Sequence, residues 1–452
     1  MTLPLIPDFD RFDFYAHYIR NLEIYSPKRP ILCDRVTLTN WAVLAARSRG
    51  YGLLPNLSQL TLSTFFGWAD DSEPLIWART FMSPSLTAIH ITAKSDRHHH
   101  LSFPIASTLL RHAVSNCPQL RMLSLVTSDR YKGQIPTNLS EALMFWEPSY
   151  YESLSYLPLR ELCCSTGLLL SANIHTLSKL QFLERLKLYS GRELPDHCIP
   201  SPGFKLLPRL GDLTLIAMYW SDIINILEMN IYSGVKSLIV HMTDTIDDEP
   251  EPLDDASVRS LAVLVARCCP DLTNLEIDCG NDYAFSPEDI TVFEALLALP
   301  LRAVSLVNIS VPPTMLEKLL SFFPLASTIR MPDSPLKIGG LHYFFRLPQL
   351  VHLAIDLNVW QVEGLLPLQV DSTFEIATNF HTLEITTSPG NLKADLSPLA
   401  GYLLSIWPNL KQVIWTGGPE PEDEDHQMNT IIVNALNALI SAHRILSAVN
   451  QY

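Results

Sequence analysis

The stretch RCCPDLTNLEID, residues 267–278, places two adjacent cysteines before a proline and a short apolar run. After Pro270, apolar residues follow in the spacing L-x-x-L-x-L, at Leu272, Leu275 and Ile277. In an extended chain the last two of these point to the same side, because side chains alternate along a strand. Proline lacks an N–H group and cannot continue a preceding helix. The stretch therefore predicts a junction at which a helix ends and a buried strand begins.

The same spacing recurs along the whole chain. Clear copies are LPNLSQLTL (54–62), CPQLRMLSL (117–125), LPRLGDLTL (207–215), LPQLVHLAI (347–355) and WPNLKQVIW (407–415). With weaker copies included, the first apolar position falls at residues 19, 57, 86, 120, 159, 183, 210, 235, 272, 301, 326, 350, 380 and 410. The mean interval of about 30 residues is at or just above the usual length of a leucine-rich repeat.

This pattern predicts an α/β fold, a leucine-rich-repeat solenoid (horseshoe) of about 14 irregular repeats. Parallel strands are expected on the concave face, with helices or loops on the convex face. The segment DDASVRSLAVLVARCC (254–269) has apolar residues at helical spacing, including Val258, Leu261 and Val265. Further helices are predicted at TLLRHAVSNC (108–117), VFEALLAL (292–299) and TMLEKLLSFF (314–323).

Both ends of the chain have the pattern of capping helices, which a solenoid needs to cover its terminal core faces. One predicted helical face carries Phe9, Phe12, Tyr15, Ala16 and Ile19, and another carries Met428, Ile432, Ala435, Leu436, Leu439 and His443. We therefore expect an N-terminal capping helix in residues 1–18 and the solenoid in residues 19–418. The solenoid contains an acidic loop at residues 243–255. A second acidic loop and the C-terminal capping helix occupy residues 419–452.

The composition excludes several classes of protein. Apolar residues make up 47% of the 452 residues, enough for an extensive core. The net charge of −15 repels phosphate backbones, so no nucleic-acid partner is expected. The sequence has no secretory signal pattern and no apolar run of about 18 residues, so no membrane partner is expected either. These features predict a cytoplasmic or nuclear protein with reduced cysteines.

Candidate chemical motifs are weak. Cys163 and Cys164, like Cys268 and Cys269, are adjacent rather than C-x-x-C pairs, which favours small buried core residues over a metal or redox site. The tract RHHHL (97–101) could bind a transition metal, but an exposed loop is the favoured interpretation. No phosphate-binding or nucleophile-elbow motif is present. We therefore expect a non-enzyme without cofactor or metal.

A solenoid offers a binding surface in the outward positions of its strands. The central outward residues are Glu23, Thr61, His90, Ser124, Cys163, Lys187, Thr214, Ile239, Glu276, Ser305, Arg330, Ala354, Glu384 and Ile414. They share no chemistry, which favours a specific protein target on the concave face. Tyr and Arg beside apolar neighbours are typical of binding hot spots. The candidate partner-binding residues are Arg185, Lys187, Tyr189, Ile216, Ile239, His241, Asn274, Glu276 and Asp278.

Several segments together resemble the leucine-rich F-box proteins of mushroom-forming (basidiomycete) fungi. The resemblance is carried by RFDFYAHYIRNLEI (11–24), NCPQLRMLSL (116–125) and RCCPDLTNLEI (267–277), and by an acid-rich insertion before a final helix. It implies a substrate receptor for ubiquitin-dependent protein degradation. In that family the F-box docks on the Skp adaptor of a cullin–RING ubiquitin ligase, and the repeats hold the target.

The sequence departs from this family where the F-box would stand. The chain starts almost directly with the helix that follows the F-box in the family, and LPLIP at residues 3–7 is too short to form that domain. Two interpretations stay open. The chain is the substrate-recognition part of a ligase receptor, with Skp adaptor and cullin as partners only if an F-box precedes it. Alternatively, it is a stand-alone leucine-rich-repeat scaffold without ligase docking.

Overall fold

The computed structural model describes residues 10–25, 52–64, 73–93, 101, 103–126, 148–169, 173–190, 207–217, 219–229, 232–243, 254–280, 286–358, 379–386, 396–416 and 424–449. The chain divides into two compact units. Unit 1 comprises residues 1–234 and 243–250, and unit 2 comprises residues 235–242 and 251–452.

In the described part of unit 1, seven parallel strands pair in the order of the sequence. They are β1 (Asn21–Tyr25), β2 (Gln59–Thr64), β3 (Ala88–Ala93), β4 (Met122–Leu125), β5 (Glu161–Ser165), β6 (Arg185–Ser190) and β7 (Asp212–Ala217). The helices are α1 (Asp10–Ala16), α2 (Glu73–Phe81), α3 (Phe103–Asn116), α4 (Pro148–Leu154), α5 (Ile174–Lys179) and α6 (Trp220–Glu228), with a 3₁₀ turn at Thr166–Leu169.

The described part of unit 2 repeats this arrangement with seven more parallel strands. They are β8 (Ser237–Met242), β9 (Asn274–Asp278), β10 (Ala303–Val307), β11 (Thr328–Lys337), β12 (His352–Asn358), β13 (Thr382–Ile385) and β14 (Gln412–Trp415). The helices are α7 (Asp255–Cys268), α8 (Pro313–Ser321), α9 (Ser397–Ile406) and α10 (Glu424–Val449), with 3₁₀ helices at Ile290–Ala298 and Ile338–Arg346.

The register of the strands confirms the predicted α/β leucine-rich-repeat fold. Each predicted central residue lies opposite the central residue of the next strand, from Glu23 to Thr214 in unit 1 and from Ile239 to Ile414 in unit 2. The flanking apolar residues of the motif are buried on the other face, as Leu275 and Ile277 are in β9. The repeated motif therefore sets both the position of each strand and the face that enters the core.

A tight turn explains the proline of the motif. The carbonyl of Cys117 accepts a hydrogen bond from the amide of Leu120 at 3.1 Å, and Trp407 and Leu410 pair in the same way at 3.0 Å. Proline is favoured at the second position of such a turn, because its ring fixes φ near the value the turn needs. The first leucine of each motif is thereby directed into the core.

The cysteine pair at the junction is structural, as predicted. Cys268 is the last residue of α7, and Cys269 follows as its C-cap, with its amide donating to the carbonyl of Val265 at 2.9 Å. The Cys269 carbonyl then accepts from the amide of Leu272 at 3.0 Å. Both cysteines are fully buried. Burial, with Cys268 alongside, raises the pKa of the Cys269 thiol to about 12.

A second backbone element, which we call the carbonyl ladder, joins successive repeats just before each strand. In unit 1 the carbonyl of Arg20 accepts from two consecutive amides of the next repeat, those of Ser58 at 2.7 Å and Gln59 at 3.0 Å. In unit 2 the carbonyl of Thr273 accepts from Arg302 at 2.7 Å and Ala303 at 3.0 Å. Further backbone carbonyls accept two such hydrogen bonds from consecutive amides of the next repeat: those of Ser58, Thr87, Arg121, Arg160, Glu184, Lys236, Arg302, Ser327, Val351 and His381.

The helix predictions hold for three segments and fail for one. The predicted helices at 254–269, 108–117 and 314–323 are present as α7, α3 and α8. The segment VFEALLAL instead lies in the 3₁₀ helix Ile290–Ala298. A 3₁₀ helix rises about 2.0 Å per residue against 1.5 Å in an α-helix, so it crosses the width of a repeat with fewer residues.

The helices at the two ends bury narrower faces than predicted. In α1, Ala16 is buried but Tyr15 is exposed. In α10 the buried residues are Ile432, Leu436 and Ile440, spaced at i, i+4 and i+8, whereas the predicted contacts Ala435 and His443 are exposed. The buried stripe of α10 is therefore centred on Leu436, and it turns Ala435 and His443 towards solvent. Phe9 and Met428 belong to parts whose side chains the structure does not describe.

Helix α10 also covers the backbone of the last strand. The Asn437 side-chain amide donates to the carbonyl of Val413 at 2.9 Å, and its oxygen accepts from the amide of Val413 at 2.8 Å. One side chain thus makes the pair of bonds that a further strand would make.

The acidic segment 243–255 is described only at its ends. Asp254 is the N-cap of α7, where its carboxylate accepts from the amide of Ser257 at 2.7 Å. The Asp255 carboxylate accepts from the amides of Glu288 at 3.3 Å and Asp289 at 3.0 Å. Residues 244–253 lie outside the described residues. The last two acids of the run therefore belong to the start of α7.

Candidate functional site

On the outward face of unit 1, neighbouring side chains form an ion pair and a cation–π contact with one another. On β6, the Arg185 guanidinium forms an ion pair with Glu161 of β5. The Lys187 ammonium lies 5.1 Å from the centre of the Tyr189 ring, a cation–π contact within the same strand. The predicted group of Arg185, Lys187 and Tyr189 therefore lies together on this face, with interactions among its own residues and neighbours.

The sequence-predicted patch is divided between the two units. Arg185, Lys187, Tyr189 and Ile216 belong to unit 1, whereas Ile239, His241, Asn274, Glu276 and Asp278 belong to unit 2. Ile216 occupies an outward position of β7, but only 7% of its surface is exposed. It therefore offers little area to a partner in this structure.

Cys163, at the centre of β5, lies opposite Lys187 in the register of β5 and β6. Burial raises its pKa, although a hydrogen bond with Ser124 and the positive charge of Lys187 act in the opposite direction. His90, on the same central row, has a lowered pKa because it is partly buried. The two groups thus favour their neutral forms, which is unlike the thiolate–imidazolium arrangement of a cysteine nucleophile.

The outward face of unit 2 is organised around Asp278, the last residue of β9. Nδ1 of His241 lies 2.7 Å from one carboxylate oxygen. The other oxygen accepts from the Asn308 side-chain amide at 2.8 Å and from the amide of Gly280 at 3.0 Å. Because an ionised carboxylate only accepts, the proton of the His241 contact lies on Nδ1. Three elements therefore hold this carboxylate in one orientation.

Burial alone would raise the pKa of Asp278. The hydrogen bonds from His241, Gly280 and Asn308 outweigh that effect, and the pKa lies below its ordinary value. Asp278 is therefore ionised throughout the neutral range and presents a fixed negative charge at the end of β9.

Asn308 links two carboxylates. It follows β10 with φ of 57°, in the left-handed region that non-glycine residues seldom adopt. Its side chain donates to Asp278, and its backbone amide donates to the Asp333 carboxylate at 2.5 Å. Asn and Asp tolerate this conformation better than other non-glycine residues, which explains the residue type found here.

Asp333 lies in an irregular part of β11. The register with β12 shifts between Met331 and Pro335, so the intervening residues leave the ladder. Within this bulge, Ser334 is buried and bridges backwards, donating to the carbonyl of Ile309 and accepting from the amide of Val311, both at 3.0 Å. Sequence reasoning missed Asn308 and Asp333, because both lie beyond the repeated motif. The two prolines of PDSP, 332–335, were the available signal of an interrupted strand.

A row of three outward residues crosses the middle of unit 2. Glu276 of β9, Ser305 of β10 and Arg330 of β11 lie opposite one another in register. Glu276 is half-buried, Ser305 is buried and Arg330 is exposed. The neighbouring candidates Asn274 and Ile239 are exposed and half-buried, respectively. We call Glu276, Ser305 and Arg330 the β9–β11 row.

A separate polar cluster lies on β12 to β14. The Glu384 carboxylate accepts from the Thr416 hydroxyl at 2.8 Å. Nε2 of His352 lies 3.2 Å from the other carboxylate oxygen, but this nitrogen makes no hydrogen bond, so the contact is electrostatic when the imidazole is protonated. Glu384 is therefore already engaged within the protein.

The described residues bear on three alternative roles: metal binding, redox chemistry and membrane insertion. Across the described ranges, no group of three or more His, Cys, Asp or Glu side chains is arranged to hold a metal ion. In the RHHHL tract only Leu101 is described, and residues 97–100 lie outside the described residues. The described cysteines are free thiols, and most of them are buried. Among the helices that the structure describes, none combines the length and apolar character needed to cross a membrane.

Comparisons with known proteins do not extend the description of the fold. No family model and no curated protein matches the chain. Among solved structures, it is similar to the protein in "Crystal structure of TLR13-ssRNA13 complex", with 16% sequence identity and a TM-score of 0.40. The match covers 81% of this chain and 47% of the other, so the chain spans about half the length of that protein. The strand register within each unit remains the basis for the leucine-rich-repeat fold.

Proposed function

We propose that the chain is a protein-interaction module that binds a protein target on the outward faces of its strands. One observation carries this proposal. From β2 to β13, the two motif positions that face inward are apolar and buried, whereas the outward positions carry acids, bases, hydroxyls and apolar groups in a fixed register. A stiff backbone that presents a varied row favours one specific protein surface over a uniform polyanion or lipid surface.

The proposed role is binding without catalysis. The thiol on the outward face, Cys163, has a raised pKa and is therefore protonated at neutral pH. Asp278, whose carboxylate is held by three hydrogen-bond donors, has a lowered pKa and would be a poor proton donor or acceptor near pH 7. These shifts are opposite to those that a nucleophile or a general base needs.

The finer proposal follows from the resemblance of the repeat junctions to the leucine-rich F-box proteins. In this proposal the chain is the substrate-recognition part of a receptor for a cullin–RING ubiquitin ligase, in the cytoplasm or nucleus. Skp adaptor and cullin would then be partners through an F-box that precedes the chain. The alternative is a stand-alone leucine-rich-repeat scaffold that binds its target without ligase docking.

Affinity purification of the full chain followed by mass spectrometry tests the binding role, with two charge-reversal variants for comparison. Glu276→Lys changes the outward face of unit 2. The matched control Glu294→Lys makes the same charge change on the exposed surface of the 3₁₀ helix Ile290–Ala298. We expect a protein that is recovered with the wild type and with Glu294→Lys but is lost with Glu276→Lys or with Arg185→Glu on unit 1.

The same purification separates the two finer proposals. Recovery of Skp adaptor and cullin with the gene product that contains this chain supports the ligase receptor. Recovery of the target without them supports the scaffold. If every recovered protein persists in both outward-face variants, the outward faces are not the binding surface and the proposed function is wrong.

A further inference from the structure

The β9–β11 row brings an acid, a hydroxyl and a base side by side on one face. Adjacent strands lie about 4.8 Å apart, so the backbone positions of Glu276 and Arg330 are about 10 Å apart with Ser305 between them. All three residues occupy the centres of their strands, where the backbone is held on both sides by hydrogen bonds. The row is therefore a fixed set of groups of unlike charge.

Ser305 is the unusual member of the row. Only 9% of it is exposed, and its Oγ has no hydrogen-bond partner. The adjacent Val304 and Leu306 point into the core, so the Ser305 hydroxyl points to the outward face, between its two charged neighbours. Buried hydroxyls are normally paired, because leaving one unpaired lowers the stability of the fold. The Ser305 hydroxyl is therefore an unused hydrogen-bonding group between Glu276 and Arg330.

The two charged members of the row are also unengaged. Among the described residues, neither the Glu276 carboxylate nor the Arg330 guanidinium has an ion pair or a hydrogen bond, in contrast with Asp278 and Glu384 on the same unit. Asp278 lies two residues after Glu276 on the same face of β9. Its fixed charge makes the Glu276 end of the row negative.

We propose that the β9–β11 row is a recognition site for a protein segment that carries a basic and an acidic side chain about 10 Å apart. The basic side chain pairs with Glu276 in the field of Asp278. The acidic side chain pairs with Arg330, and a backbone or side-chain polar group between them hydrogen-bonds Ser305. This inference rests on the proposed binding function and specifies the chemistry of its partner.

The pattern of charge favours a protein segment over other charged ligands. A nucleic acid would bring phosphates against Glu276 and the fixed Asp278. A polyamine would be attracted to the carboxylates but repelled by Arg330, and it would offer no acidic group to that end. A segment with both charges matches both ends, and a wrong order of charges is rejected at both.

Selection of random peptides displayed on phage against the full chain tests the proposal directly. We expect the enriched peptides to share a Lys or Arg and an Asp or Glu at a constant separation. In fluorescence anisotropy with one such peptide, Glu276→Gln and Arg330→Gln should each weaken binding about ten-fold, the loss expected for a central charged contact. The control Glu294→Gln should leave the affinity unchanged.

A charge exchange gives a sharper version of this test. The double variant Glu276→Arg with Arg330→Glu should reject the selected peptide and bind the peptide whose basic and acidic residues are interchanged. Ser305→Ala should weaken binding several-fold while the thermal midpoint of the free chain stays the same or rises, because the substitution removes an unpaired buried hydroxyl. A fall in that midpoint would mean that Ser305 has a structural role, and would overturn the proposal.

Other outcomes separate this inference from the proposed function. If enriched peptides bind all the row variants equally but are lost with Arg185→Glu, the chain binds proteins elsewhere, and only the β9–β11 site is wrong. If spermine competes with the selected peptide as well as an unlabelled copy of that peptide does, the site is a general cation site, and the segment proposal fails. If no peptide is enriched and purification recovers no outward-face partner, both proposals fail.

Discussion

Strand β6 of unit 1 and strand β9 of unit 2 occupy equivalent positions in their repeats, but they differ in whether their outward charged side chains have partners within the protein. On β6, Arg185 pairs with Glu161 across exposed surface, and Lys187 lies over Tyr189. On β9, Asp278 is held by three donors, while Glu276 two residues earlier has no partner among the described residues. The repeat therefore sets the position of each outward side chain. The identity of the outward residues determines whether their charges are paired within the protein or remain available to a partner.

The largest expected effect is on stability and concerns the buried core leucines that both units share. Leu275→Ala in β9 and Leu213→Ala in β7 each remove a buried core leucine, so each should lower the free energy of unfolding by about 2–5 kcal/mol. Chemical denaturation followed by circular dichroism measures both. Similar losses are expected because both leucines occupy the same position of the motif. A loss below about 1 kcal/mol in only one of them would show that the two units do not share one framework.

The next effect concerns Asn308, which holds the polar network of unit 2 together. Asn308→Ala removes the donor to Asp278 and places alanine at φ of 57°, so we expect a loss of about 2–3 kcal/mol in the free energy of unfolding. Asn308→Gly removes the same donor without the backbone strain and should lose about 1 kcal/mol less. Equal losses in the two variants would show that strain contributes nothing at this position.

The Asp278 carboxylate should make stability depend on pH. Its folded pKa lies below the unfolded value of about 3.9, so its contribution is complete above about pH 4 and is lost as the pH falls through the folded pKa. Asp278→Asn should cost about 1–2 kcal/mol at pH 7, because it replaces charge-assisted hydrogen bonds with neutral ones. The difference from the wild type should shrink in acid. A constant difference from pH 7 to pH 3 would contradict the shift.

The smallest effect is expected at the ion pair of unit 1. Glu161→Gln removes the partner of Arg185, whose side chain is 57% exposed, so the loss should be at most about 1 kcal/mol. The loss should shrink further as salt is added, since salt screens exposed charges. Thermal unfolding at low and high salt measures it. A salt-independent loss as large as that of Asp278→Asn would remove the contrast between the two faces.

The positions of the strands and of their buried residues could be predicted from the sequence, because the motif that sets them repeats. Leu275 and its counterparts recur at one spacing, and their burial needs only neighbouring repeats, so each strand centre follows from local pattern. The 3₁₀ helix Ile290–Ala298 was missed because both helix types place apolar residues on one side. Asp333 and Ser334 were missed because a bulge is not periodic.

The candidate site was predictable only in part for a related reason. Glu276 and Asp278 could be placed outward by alternation alone. The left-handed turn at Asn308 and the unpaired hydroxyl of Ser305 depend on residues of other repeats, which local sequence does not reveal. Ile216 illustrates the opposite error, because its outward position is covered although alternation places it on the open face.

The carbonyl ladder has a consequence for how such a chain can change in evolution. Within each unit it joins successive repeats at one backbone point before the strand, so strands of four to ten residues align without matching lengths. The connecting segment after each strand is then free to be an α-helix, a 3₁₀ helix or a longer excursion. Insertions and deletions in these connections leave the alignment of the outward row untouched. New partner specificity can therefore arise by exchanging single outward residues while connections lengthen or shorten independently.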